Sequence, residues 1–186
     1  MSAAVLERLM TAEDLRRLPR GRERRELIEG VLHTMSPSGA EHVVVSAELL
    51  RRLGNHVHEH ALGRTFSGEG GFVICRNPDT VIAPDAAFVT AERMAVCSNA
   101  GGHWEGAPDP AVLGISSHDR MADVDDEVDA CRTAGTRLAG VIHAWRRVVR
   151  IHRPDRPVPW VRADEFPDGR EVVRGIRRPF DEILVT

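Results

Sequence analysis

Asp85 is the residue whose setting most invites chemistry. In the run from Val81 to Val89, alternation places Val81, Ala83, Asp85, Ala87 and Val89 on one face of a strand. A carboxylate among small apolar side chains is costly without a partner. Asp85 therefore reads as a metal ligand, or as an aspartate hydrogen-bonded at a strand end. Three further residues could join it. Glu26 lies on an early strand, where it adds to an acidic cluster or pairs with an arginine at the surface. His42 falls one turn before Val45 on the apolar side of a long helix. It reaches the cleft or simply packs. Glu127 sits in the acidic run Asp123 to Asp129, which is a solvated helix face or the source of another carboxylate. One absence limits all of them. The chain carries 25 basic residues, and every one is arginine. Any mechanism that rests on a lysine is closed to it.

Other constellations carry less. His56 and His60 are one helical turn apart, a zinc-compatible spacing, but no third ligand stands at metal spacing. Ser116, Ser117, His118 and Asp119 have the residue types of a triad, yet adjacent residues rarely converge, and no nucleophile-elbow motif is present. Gly68 to Gly71 lacks the lysine and hydroxyl of a phosphate-binding loop and reads as a hairpin turn. Trp104, Trp145 and Trp160 are too scattered in sequence to be a stacking platform.

The elements that must position these residues can be read from pattern. Thr11 to Asp14 is a capping-box-like start for a short helix through Leu18. Arg24 to Glu29 and Val31 to Met35 flank Gly30 as a hairpin. Ser38 to Glu41 is a capping box opening the longest helix, to about Ala61, with Val45, Leu49, Leu53 and Val57 inward. Short strands follow at 64–67, 71–76 and 81–89, then one helical turn at 90–94. The glycine- and proline-rich stretch 98–110 reads as a loop. Ala111 to Ser116 is a buried strand, Ala122 to Ala134 a helix, and 138–145 with 147–152 a strand pair. Short strands and turns complete the chain. This alternation predicts an α/β fold with a mixed sheet, in a single domain over 1–186.

Composition is that of a globular chain, 42% hydrophobic and 28% charged. No apolar run is long enough for a membrane helix, and the first residues lack the basic start and apolar stretch of a secretory signal. Three cysteines, widely spaced, predict a reducing cytoplasm without a disulfide framework. The net charge of −3 does not announce a nucleic-acid binder. Arginines do cluster, six of them between Arg16 and Arg25 and five between Arg146 and Arg156. These are basic faces or solvated surface.

Four segments occur in an informative order: Arg25 to Gly30, Ser36 to His42, Ile82 to Val89 around Pro84 and Asp85, and Pro108 to Ser116 followed by Asp123, Ala134 and Gly135. Together they resemble the Uma-two family, bacterial restriction-endonuclease domains of the PD-(D/E)XK nuclease superfamily. The resemblance implies a restriction-endonuclease-like mixed sheet flanked by helices, a Mg²⁺ or Mn²⁺ cofactor, DNA as partner, and a homodimer. It places the metal-binding aspartate at Asp85, with Glu26 at a matching position on the first hairpin as a supporting carboxylate; His42 reaches the phosphate side of the cleft or packs. The family's glutamate position falls on Leu113 and its lysine on Glu127. Such sites use carboxylates to hold the metal against the scissile phosphate, while the lysine orients water. Arginine replaces lysine poorly because its charge and planar geometry are fixed. The two changes point to an impaired nuclease that keeps metal or nucleic-acid binding, with Asp85 and Glu127 as a surviving carboxylate pair. The competing expectation is an active endonuclease using Asp85 with relocated carboxylates, and Arg120 or Arg132 near the phosphate.

Overall fold

The computed structural model describes residues 8–19, 21, 23–96, 102–115, 120–153 and 160–162. The serine–histidine–aspartate stretch 116–119, Cys97, and the C-terminal strands and arginines beyond residue 162 lie outside them.

Helix α1 (Ala12–Arg17) starts where its sequence says it should. The Thr11 hydroxyl accepts the Asp14 N–H, and the Asp14 carboxylate accepts the Thr11 N–H. Strands β1 (Arg24–Ile28) and β2 (Val31–Met35) pair antiparallel around Glu29 and Gly30. Both turn residues have positive φ, 51° and 77°, as a two-residue hairpin requires. Helix α2 (Ala40–Glu59) buries Val45, Leu49, Leu53 and Val57, the stripe read from spacing. Its N-cap is Gly39, which makes no side-chain cap bond. The capping box expected at Ser38 and Glu41 is therefore not formed, because Ser38 stands one residue ahead of the cap.

The next strands correct two expectations. The run 81–89 is not one strand. It splits into β5 (Thr80–Ile82) and β6 (Ala86–Thr90), which belong to different sheets. Pro84 has no N–H to give a ladder, so the chain leaves one sheet there and enters the other. Likewise β3 (Gly63–Ser67) and β4 (Phe72–Cys75) do not form a hairpin across the Gly68 to Gly71 turn. β3 pairs with β6, while β4 pairs with β5. Helix α3 (Ala91–Val96) follows, and the expected loop contains a short strand β7 (Trp104–Glu105) parallel to β4. Then come β8 (Pro110–Gly114), α4 (Met121–Thr133), β9 (Leu138–His143), β10 (Val148–His152) and β11 (Val161–Arg162).

The result is a mixed α/β domain built on two mixed sheets, of order β2-β1-β5-β4-β7 and β11-β10-β9-β8-β6-β3. β8 and β9 run parallel, joined through α4. The second sheet lies between two helices. α2 sets Val45 and Leu49 against Ile142, Ala144 and Val149. On the other face α4 sets Val124 and Val128 against Leu113, Ile115 and Val141. β9 is buried along almost its whole length, which is why its sequence reads as an apolar run rather than an alternation. The first sheet packs Phe72 and Ile82 against Ala87, Val89 and Ala111. The link between the sheets is Ala83, Pro84 and Asp85. No described helix is long and apolar enough to cross a membrane.

Candidate functional site

The break at Pro84 delivers Asp85 to the seam between the sheets, where three donors converge on its carboxylate. The backbone N–H of Gly114, at the end of β8, donates to Oδ2 at 2.7 Å. Arg24 Nη1, from β1, donates to Oδ1 at 3.1 Å. His42 Nε2, from the first turn of α2, lies 3.1 Å from the same oxygen. Burial pushes the Asp85 carboxyl up. The His42 bond, the Arg24 guanidinium and the Gly114 N–H outweigh it and hold the group below its usual range. Gly114 is sterically obligatory here. A Cβ at that position would sit 2.5 Å from His42 Cε1. The imidazole can close on Asp85 only because residue 114 has no side chain.

Glu26 is two residues from Arg24 on β1, so both side chains leave the same face. Its side chain is buried, with Oε1 accepting the Ala83 N–H at 2.8 Å and forming an ion pair with Arg24 Nη2 at 3.5 Å. Arg24 thus lies between two buried carboxylates, Asp85 and Glu26. Burial raises the Glu26 carboxyl, against Arg24 and the Ala83 N–H, which lower it; the nearby Asp85 charge raises it further. Of the two acids, Asp85 holds its charge the more firmly.

Two spaces open around this centre. A groove of about 570 Å³ is lined by Asp85, His42, Arg24, Arg25 and His103. A neighbouring cavity of about 290 Å³ is lined by Glu26, Leu113, Glu127, Arg120 and Arg24. They adjoin, and Arg24, Met35, Ser36, Pro37 and Gly114 border both. Leu113 points into the core beside Val124 and Val128, while Gly114, next along β8, meets Asp85 and His42. Glu127 is buried on the inner face of α4 rather than solvated. It and Glu26 both act on the thiol of buried Cys131, which burial pushes well above its usual range and the two carboxylates push further. Glu127 therefore groups with Glu26 and Leu113, and Asp85 with His42. Asp85 and Glu127 do not line a common space. Arg120, the N-cap of α4, reaches the cavity. Arg132 does not. It sits in the exposed last turn of α4, paired with Asp129 at 2.9 Å.

A divalent cation needs several oxygen ligands converging on open space. Here the Asp85 carboxylate is already occupied by three protein donors, one of them a fixed cation shared with Glu26. Among the described residues, no group of three or more His, Cys, Asp or Glu side chains is placed to hold a metal ion. His56 and His60 stack, with ring centroids 4.3 Å apart, and form no such group. The Asp85 carboxylate is thus engaged by protein donors rather than placed as one member of a metal-ligand cluster.

Sequence reasoning missed Arg24 and Gly114. Arg24 had a signal, its spacing of two from Glu26 on a strand. Gly114 had none, since the need for glycine comes from a helix 72 positions back along the chain. A third omission concerns the tryptophans. Trp145 and Trp160, distant in sequence, lie on either side of His143, with centroid distances of 6.2 and 6.4 Å.

The mixed α/β frame places the Pro84-Asp85 link between an early hairpin and a long helix, and comparison with known proteins gives the class. The family model described as putative restriction endonuclease, Uma2, matches residues 12–181, and the chain belongs to that family. Families of this kind usually use divalent metals. Among solved structures, the fold is shared with a protein described as a putative nuclease belonging to DUF820 from Anabaena variabilis. The TM-score is 0.79 at 17% identity, over 94% of this chain and 97% of that one. No curated protein matches the chain.

Proposed function

We propose that this chain is a nuclease-family member in which metal-dependent cleavage is weak or absent and nucleic-acid binding is kept. The observation that carries the proposal is the Asp85 carboxylate, held by Arg24, His42 and the Gly114 N–H. An aspartate so engaged has three of its roughly four lone-pair sites filled by protein donors. Two family positions support the same reading. Leu113 gives an apolar side chain where the family has a glutamate, and Glu127 gives an anion where it has a lysine. Arg24 and Arg25 line the groove beside Glu23 and Glu69 and are the cations there for a phosphate backbone.

Plasmid nicking in Mg²⁺ and Mn²⁺, with Asp85→Asn as the control, tests the loss of cleavage. The expected result is no metal-dependent nicking above that control. Robust nicking that disappears in Asp85→Asn overturns it. Nucleic-acid binding across a salt series tests the second half, with a steep fall in affinity expected from phosphate contacts.

The competing reading is an active endonuclease with relocated carboxylates. Its support is that Glu26 and Glu127 line one cavity with Arg120. The double substitution Leu113→Glu with Glu127→Lys separates the two. Cleavage that appears only in the double variant favours the impaired site.

A further inference from the structure

The hairpin between β9 and β10 carries a feature that the Asp85 site does not use. Trp145 stands at its tip with 71% of its surface exposed. A single exposed ring is ordinary in itself, so its surroundings decide its meaning. The guanidinium of Arg146 lies 6.0 Å from the ring centroid. His143 packs behind, between Trp145 and Trp160. Trp160 is itself held by Arg150, 5.2 Å from its ring, and by the apolar cluster under α4. The ring at the tip is therefore backed by a fixed aromatic stack. The segment from Leu138 to Arg153 carries four arginines and no acidic residue, and of these Arg150 pairs with Asp125 of α4. The hairpin also adjoins the Asp85 site, since Ile142 and Ala144 line a small space together with His42 and Asp85.

We infer that Trp145 is a stacking platform for an unpaired base, and that the nucleic acid this chain binds is single-stranded, or unpaired where it meets the hairpin. This rests on the nucleic-acid reading above and adds to it the form of the ligand. Every base presents a π-face, so a lone exposed indole beside cations recognises unpaired strands whatever their sequence. A base in a duplex is already stacked on its neighbours and has no free face to offer.

Intrinsic fluorescence of the full chain, titrated with oligothymidine and with a blunt duplex at low salt, tests this. Oligothymidine is expected to quench the emission and to bind more tightly than the duplex. Trp145→Ala should remove most of the quench and weaken binding by about tenfold, the size of one lost stacking contact. Trp145→Phe should keep most of the affinity. Binding that Trp145→Ala leaves unchanged, or a preference for duplex, overturns the platform and leaves the nucleic-acid reading standing. A dimer in sedimentation that Trp145→Ala dissociates also overturns it, by showing that a second copy covers the ring. No binding to either nucleic acid overturns both.

Discussion

Two Pro-Asp steps six residues apart, Asp79 and Asp85, put the same chemistry to different ends. Asp79 is buried, accepts the Ala12 N–H at 2.8 Å and the Asn77 N–H at 3.3 Å, and pairs with Arg76 at 2.8 Å. Arg76 extends the contact to Glu13 and Glu105. Asp79 thus ties the start of α1 to the turn before β5. Asp85 has a backbone donor and an arginine too, but it differs in two respects. Its arginine is shared with a second buried carboxylate, and a histidine from α2 closes over it beside an open groove. A buried aspartate paired with arginine is therefore ordinary in this chain; Asp109, with Thr90 N–H and Arg93, is a third case. What sets Asp85 apart is that the second carboxylate on its cation, Glu26, is buried, and that a histidine closes over it beside a groove.

The comparison can be broken by substitution. Asp79→Asn should cost the most, about 2–3 kcal/mol in urea unfolding, because the charge facing Arg76 is lost and the amide NH₂ would face either the Asn77 N–H or the Ala12 N–H together with Arg76. Gly114→Ala should follow, at about 1–3 kcal/mol, since its Cβ meets a buried imidazole with little room to move. It should also loosen the His42 bond, seen as a shift of the His42 ring resonances. Asp85→Asn should cost less, about 1 kcal/mol, because Arg24 keeps Glu26 as partner and an amide oxygen can still accept from Gly114. A cost for Asp85→Asn equal to that of Asp79→Asn would mean the cation is not shared.

The smallest effect is a matter of pH. The Glu26 carboxyl is raised above its ordinary value of 4.5, so its contribution to stability is present below that value and is lost as pH rises through the folded one. Asp85 is lowered, so its contribution is present at neutral pH and is lost as pH falls. Glu26→Gln should therefore be neutral in acid and mildly stabilising at neutral pH. Thermal unfolding across that range checks the trend. A variant destabilised at neutral pH would show that Arg24 outweighs the burial of Glu26.

Much of this frame was legible in the residues. The apolar stripe of α2, the Thr11 cap and the Glu29-Gly30 turn are local signals, and each element formed as spacing predicts. The four ordered segments led to the family. What could not be read was how the chain passes between sheets. The alternation from Val81 to Val89 is real, but one missing N–H at Pro84 redirects it, and only tertiary pairing shows where each half goes. The same holds for the site. Asp85, Glu26 and His42 drew notice as residue types, yet the order of their bonding depends on Arg24 and Gly114, which are set by contacts across the chain. Glu127 looked like part of a solvated acidic face because its neighbours are charged. Its burial follows from the α4 face that also carries Val124, Val128 and Cys131.

Titration of Mn²⁺ into the unmodified chain and into Asp85→Asn, followed by electron paramagnetic resonance of the free ion, tests most directly whether protein donors have taken the cation's place. The expected result is no bound Mn²⁺ that depends on Asp85, so that the two titrations coincide. Stoichiometric binding by the unmodified chain, lost in Asp85→Asn, would contradict the account.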